Sequence, residues 1–90
     1  MEPTIGKTVI YRLSVTDTAK INEYADSGGN RNCSFVRTGD EVPLIITKVG
    51  RIEWGLPGIN GQIILDGNFS LWVTSVREGT EPGQWHWPIL

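Results

Sequence analysis

The stretch "QIILDGNFSLWVTSV" fills residues 62–76. Two runs rich in β-branched and aromatic residues flank Asp66-Gly67, a pair suited to the positive φ angles of a type I′ turn. The stretch therefore predicts a β-hairpin. Successive side chains of a strand point to opposite sides. In the second arm Phe69, Leu71 and Val73 share one face, and Trp72, Thr74 and Val76 take the other. Both arms carry apolar residues on both faces, so the hairpin is expected to be covered on both sides.

Upstream, "GLPGINGQ" (55–62) holds two turn signals. Pro57-Gly58 suits the middle of a type II turn and Asn60-Gly61 a tight turn. Before it, "VPLIITKV" (42–49) reads as a strand. Pro43 has no N–H to give a ladder, which places that end at an edge or bulge. The strand either stops there or runs on through "GRIEW" (50–54) after a bend at Gly50.

"KTVIYRLSV" (7–15) alternates, with Val9, Tyr11, Leu13 and Val15 on one face, as a half-buried strand does. In "TDTAKINEYADSGG" (16–29) Thr16 or Asp17 is placed to cap a helix. Ile21, Tyr24 and Ala25 then fall on one side, and Gly28-Gly29 stops the helix. "NRNCSFVRTGDE" (30–41) is a polar excursion that Phe35 and Val36 are placed to pin to the body. Downstream, "REGTEPGQ" (77–84) is a charged turn, and "WHWPIL" (85–90) a last strand that Pro88 cuts off.

The sum is a single β-rich domain over residues 1–90. It is an α+β fold, with one short helix after strand 1. The strands are mostly adjacent in sequence, which predicts a small twisted antiparallel sheet closing toward a five-stranded barrel. An open sheet with the helix across one face is the alternative.

Composition narrows the function. With 39% hydrophobic and 20% charged residues the chain suits a soluble globular protein. A net charge of −2 argues against duplex nucleic acid as a partner, which calls for a basic domain. Charge is uneven, though. Arg31, Arg37, Lys48 and Arg51 outnumber Asp40 and Glu41 in the middle of the chain, so a local positive pocket fits the sequence. No apolar run nears the ~20 residues of a membrane span, and the N-terminal "MEPTIGKTVIYRL" lacks a signal peptide's long apolar region. Cys33 is the lone cysteine, which suits a reducing cytosol.

Catalytic machinery is hard to assemble from these residues. His86 is the one histidine, so no histidine pair exists for a metal. No serine sits in a nucleophile elbow. Arg31 is placed to lower the Cys33 thiol pKa, but lone thiols are usually inert. "SGGNRN" (27–32) resembles an anion nest, yet it follows a helix C-terminus, whose dipole disfavours an anion. The chain is expected not to be an enzyme, with no cofactor and no metal.

What remains is "WHW" (85–87). In a strand Trp85 and Trp87 point the same way, about 7 Å apart, and His86 points opposite. The two rings either plug a small barrel or form a platform for a flat ligand or a partner. Trp54, beside the Pro57-Gly58 turn, admits the same two readings.

"INGQIILDGNFSLWVTSVREGTEPGQWHWP" (59–88) resembles the C-terminal half of small proteins encoded by bacteriophages of actinobacteria. The shared features are Asp66 to Asn68, Leu71 to Val76, Glu78-Gly79 and Trp85 to Pro88. "KTVIYRLSVTDTAKIN" (7–22) resembles their N-terminal strand and capped helix. Residues from Glu23 to Gly39 depart from the pattern. The resemblance implies a phage protein acting in the cytoplasm of an infected bacterium, and it carries no functional residues with it.

That setting, joined to the lack of catalytic groups, gives two expectations. The first is a sink that sequesters a small nucleotide-like immune signal of the host. Its flat base would stack on Trp54, Trp85 and Trp87 beside His86, and its phosphates would meet Arg31, Arg37 and Arg51, with Asn60 and the amides near Gly58 to Gly61 as donors. A chain this short struggles to enclose such a ligand, so the pocket would lie between subunits of a homo-oligomer. The second is a protein-binding module that inhibits a host protein, or a minor virion or accessory component.

Overall fold

The computed structural model of the chain describes residues 2–26, 33–51 and 55–89. Strand β1 covers Thr8–Arg12, helix α1 Val15–Ala25, β2 Glu41–Arg51, β3 Pro57–Ile64, β4 Ser70–Val76 and β5 Trp85–His86. The five strands form one antiparallel sheet in the order β4-β3-β2-β1-β5. This is the expected α+β architecture, with the helix directly after the first strand.

The strands do not close into a barrel. Strand β5 is two residues long and is spent on its ladder with β1. Among the described residues the ends of the sheet are linked by an isolated parallel bridge, Glu78 to Trp85, and not by a ladder. There the Trp85 N–H donates to the Arg77 carbonyl at 3.0 Å, and the Gly79 N–H donates to the Trp85 carbonyl at 2.8 Å. One bridge is not a ladder, and the sheet stays open, as in the alternative topology.

The first strand gives way to the helix earlier than its alternation suggests. Ser14, not Thr16 or Asp17, is the N-cap. The Asp17 N–H donates to Ser14 Oγ at 3.1 Å, and the Ser14 N–H donates back to Asp17 Oδ2 at 3.2 Å. This reciprocal capping box satisfies two backbone donors that the first turn leaves without partners. The Tyr11 hydroxyl also donates to Asp17 Oδ2, so one carboxylate ties β1 to α1. Ile21 and Ala25 are fully buried. Burying an isoleucine contributes about 1.5–3 kcal/mol, support that a helix this short needs from the sheet. Tyr24 stacks on Phe69 with centroids 4.1 Å apart, which joins the helix to the β3–β4 connection. Asn22 clips the polar excursion: its Nδ2 donates to the Val36 carbonyl and its Oδ1 accepts the Val36 N–H, both at 2.8 Å. The Gly28-Gly29 stop lies outside the described residues.

Three turn expectations fail for identifiable reasons. Pro57-Gly58 and Asn60-Gly61 lie within β3. Gly61 is needed there for close approach, since a Cβ would meet the Leu44 side chain and lie 2.6 Å from the Ile45 carbonyl. Asp66-Gly67 does not form a two-residue I′ turn, which needs positive φ at both positions. Among the described residues other than glycine only Ser75 has positive φ, and the pairing of Ile64 with Ser70 leaves a longer connection.

The two faces of the sheet differ sharply. In one row of the register Val9, Leu44, Ile63 and Leu71 line up across β1 to β4, and the first three are fully buried. The adjacent row, Thr8, Ile45, Gln62 and Trp72, points the other way. In it Ile45 is 38% and Trp72 59% exposed, with Ile64 of the same face at 43%. Among the described residues the hairpin is therefore covered on one side, not two.

Candidate functional site

Two irregularities converge on Asn60. Between β2 and β3 the register slips between Ile46 and Lys48, so Thr47 is extra. Between β3 and β4 Ile59 pairs with Val76 but Gly61 with Val73, so Thr74 and Ser75 together oppose Asn60. Each is a β-bulge, a device that bends a strand and re-aims side chains. Ser75 takes the left-handed conformation, with φ 56°. Its N–H donates to Asn60 Oδ1 at 2.9 Å, which holds the bulge. The extra residue returns Val76 to the core side, where it is 4% exposed, against the simple alternation that grouped it with Trp72.

The bulges open a notch of about 150 Å³, lined by Lys48, Gly50, Arg51, Gly58, Asn60 and Ser75. Gly50 and Gly58 are Cα partners, as are Lys48 and Asn60. The glycine pair leaves the space, and Lys48 and Arg51 supply positive charge. Arg51 Nη1 donates to the Gly55 carbonyl at 2.6 Å, which anchors the guanidinium. Among the described residues no carboxylate lines the notch. Along β3 the side chains of Asn60, Gln62 and Ile64 follow one another on the open face at about 7 Å intervals. Gln62 is in register with Trp72, so an exposed indole lies on the same face as the notch.

The C-terminal cluster is built differently. Trp85 is 3% exposed and belongs to the core of this single chain. Trp87 is partly buried and meets Trp85 edge-on, with centroids 5.3 Å apart and planes at 88°. Lys7 Nζ lies 5.6 Å from the Trp87 ring centroid. The pair is thus a packed corner and not a parallel platform. His86 Nε2 is 2.5 Å from Glu41 Oε2, and its Nδ1 is 3.0 Å from the Trp87 carbonyl. Arg12 Nη2 approaches the same Glu41 oxygen at 3.6 Å. Trp85 also borders a cavity of about 300 Å³ with Pro3, Val49, Leu56, Pro57 and Ile59, edged by Glu2, Arg77 and Glu78.

Of the residues expected to bind ligand, the structure brings Arg51 and Asn60 together. Trp85, His86 and Trp87 form the separate corner on β5. Arg37 is exposed on the excursion, where its backbone N–H donates to Asp40 Oδ2 at 2.9 Å. Arg31 and Trp54 lie outside the described residues. Sequence reasoning counted Lys48 among the charges of a positive pocket without naming it a ligand residue, and missed Ser75 and Trp72. For Trp72 a signal existed, because Ser70 and Thr74 share its face and mark it as the wet one. The bulges that recruit Lys48 and Ser75 leave no such mark.

Two other titratable groups are shifted by burial. Cys33 is buried at 3% exposure, and burial, with the nearby Asp66 carboxylate, pushes its thiol pKa up, in line with an inert lone thiol. The Tyr11 phenol is raised above its usual value by burial and by its hydrogen bond to Asp17. Among the described residues no three His, Cys, Asp or Glu side chains gather as a metal site. No helix among them is long and apolar enough to cross a membrane. No protein-family model, curated protein or solved structure matches this chain.

Proposed function

We propose that this chain is a non-catalytic binding protein that captures a small nucleotide-like ligand on the open face of the sheet. The observation that carries this reading is one face holding both a 59% exposed indole, Trp72, and a basic notch with no lining carboxylate among the described residues. Stacking of a base on an aromatic side chain contributes about 1–3 kcal/mol, and charge-assisted hydrogen bonds orient the phosphate end. A volume of about 150 Å³ is half the lower limit of about 300 Å³ for small-molecule pockets. A second wall is therefore needed. A second copy of the chain, laid over Ile45, Ile64 and Trp72, supplies it and places the ligand between subunits. In the phage setting that the sequence resembles, such a protein would sequester a host immune signal in the bacterial cytoplasm.

Thermal melting against a panel of mono-, di- and cyclic nucleotides tests this, because a ligand that binds only the folded state raises the melting point. A rise for one class, together with a dimeric or larger mass by light scattering, supports the reading. A flat panel overturns it. One observation favours a second reading, a module that binds a host protein: Ile45, Ile64 and Trp72 form an exposed apolar face, and tryptophan is enriched at binding hot spots. That reading predicts a flat nucleotide panel and a host protein lost from pull-downs by Trp72→Ala.

A further inference from the structure

We infer that the notch between the two bulges is a site for a single dianionic phosphate group, held by Lys48, Arg51, Asn60 and Ser75. This deepens the function proposed above, and rests on its assignment of the open face as the ligand side. The first argument is donor direction. Asn60 Oδ1 is occupied by the Ser75 N–H, so the amide cannot flip without losing that bond, and Nδ2 is left as a donor. Among the described residues Asn60 Nδ2, the Ser75 hydroxyl and Lys48 Nζ have no protein partner. Arg51 uses Nη1 on the Gly55 carbonyl and keeps the rest of its fork.

The second argument is charge and size. Two cations and no carboxylate among the described lining residues match a dianion. A volume of about 150 Å³ is well below the ~300 Å³ at which small-molecule pockets begin, so the notch suits one small group and not a whole ligand. The third is backbone strain. A serine in the left-handed region is costly, and such residues persist where their surroundings hold them, often at ligand sites. Here the Asn60 carboxamide holds Ser75 and aims its own donor by the same bond.

NMR titration of the full chain with sodium phosphate, against sodium chloride at matched ionic strength, tests the site. The expected result is saturable shifts confined to the amides of Lys48, Gly50, Gly58, Asn60 and Ser75, with Lys48→Met weakening affinity by about tenfold or more. Asn60→Asp is the sharper variant. It keeps an oxygen to accept the Ser75 N–H, so the fold survives with its melting point, but it replaces the donor by a carboxylate and should abolish the titration. Equal shifts with chloride, or unchanged phosphate affinity in Asn60→Asp, overturn the site. If nucleotides bind with equal strength to the parent, Lys48→Met and Asn60→Asp, the notch is wrong while the open-face reading stands. If phosphate binds as described and no nucleotide does, the notch stands and the nucleotide reading falls.

Discussion

Trp85 and Trp72 are tryptophans of two neighbourhoods with opposite fates. Trp85 sits in a dense aromatic ending and reads either as a core plug or as a surface; Trp72 sits inside a strand and reads as interior. The fold takes the first of the two readings at Trp85, with 3% exposure, and reverses the reading of Trp72, with 59%. The difference lies in what each strand has behind it. Strand β5 bends over the end of the sheet, bridged to Glu78 on one side and paired with β1 on the other, so its indole has a core to enter. Strand β4 is an outer strand, and Trp72, with the exposed Ser70 and Thr74 beside it, lies on the side that the described residues leave open. Aromatic density along a chain measures how much apolar surface is present, not where it faces.

The largest expected effect separates these two residues by stability. Trp85→Ala removes a buried indole and should cost about 3–5 kcal/mol. That is a large share of the 5–15 kcal/mol typical of a whole domain. Urea unfolding followed by circular dichroism checks it. A loss near zero would mean that the corner is peripheral, and the contrast drawn here would fail.

A smaller loss is expected where β1 is tied to α1. Tyr11 donates to Asp17 inside the fold, so Tyr11→Phe should cost about 1.5–3 kcal/mol at neutral pH, the range for a hydrogen bond to a charged group. The raised phenol pKa adds a pH signature. Below the usual value of 10.0 the phenol is protonated in both folded and unfolded chains and adds no pH dependence. Above it the unfolded chain releases the proton while the folded chain keeps it. Stability therefore falls as pH rises through about 10, by at most about 1.4 kcal/mol per pH unit for one proton. Denaturant melts at pH 7, 10 and 11 should show this decline, and Tyr11→Phe should remove that part of it.

Much of the fold was legible because periodicity marks it. The alternation in residues 7–13 places Val9, Tyr11 and Leu13 in the core, and the i, i+4 spacing of Ile21 and Ala25 marks the buried side of the helix. Turn chemistry misled where glycine served another need, as at Gly61 against Leu44 and Ile45. Barrel closure failed on strand length, which the aromatic ending does not encode. The site was half legible. Arg51 and Asn60 are residue types suited to a phosphate, but their meeting with Lys48 and Ser75 depends on two register slips. A bulge adds one residue to one strand, and local sequence carries no reading of which residue on the partner strand it opposes.

The smallest expected change in stability carries the most functional weight. Trp72 gives up little water on folding, so Trp72→Ala should move stability by no more than about 0.5 kcal/mol, as exposed substitutions usually do. In the binding reading the same substitution removes the stacking surface and part of the wall that a second copy covers. It should abolish nucleotide-induced stabilisation and shift the light-scattering mass toward the monomer, while the melting point without ligand stays put. A core role predicts a large fall in melting point with ligand response retained, and an indole that is only a wet corner of the sheet predicts no change on either axis. One variant, melted with and without ligand, therefore separates the three roles.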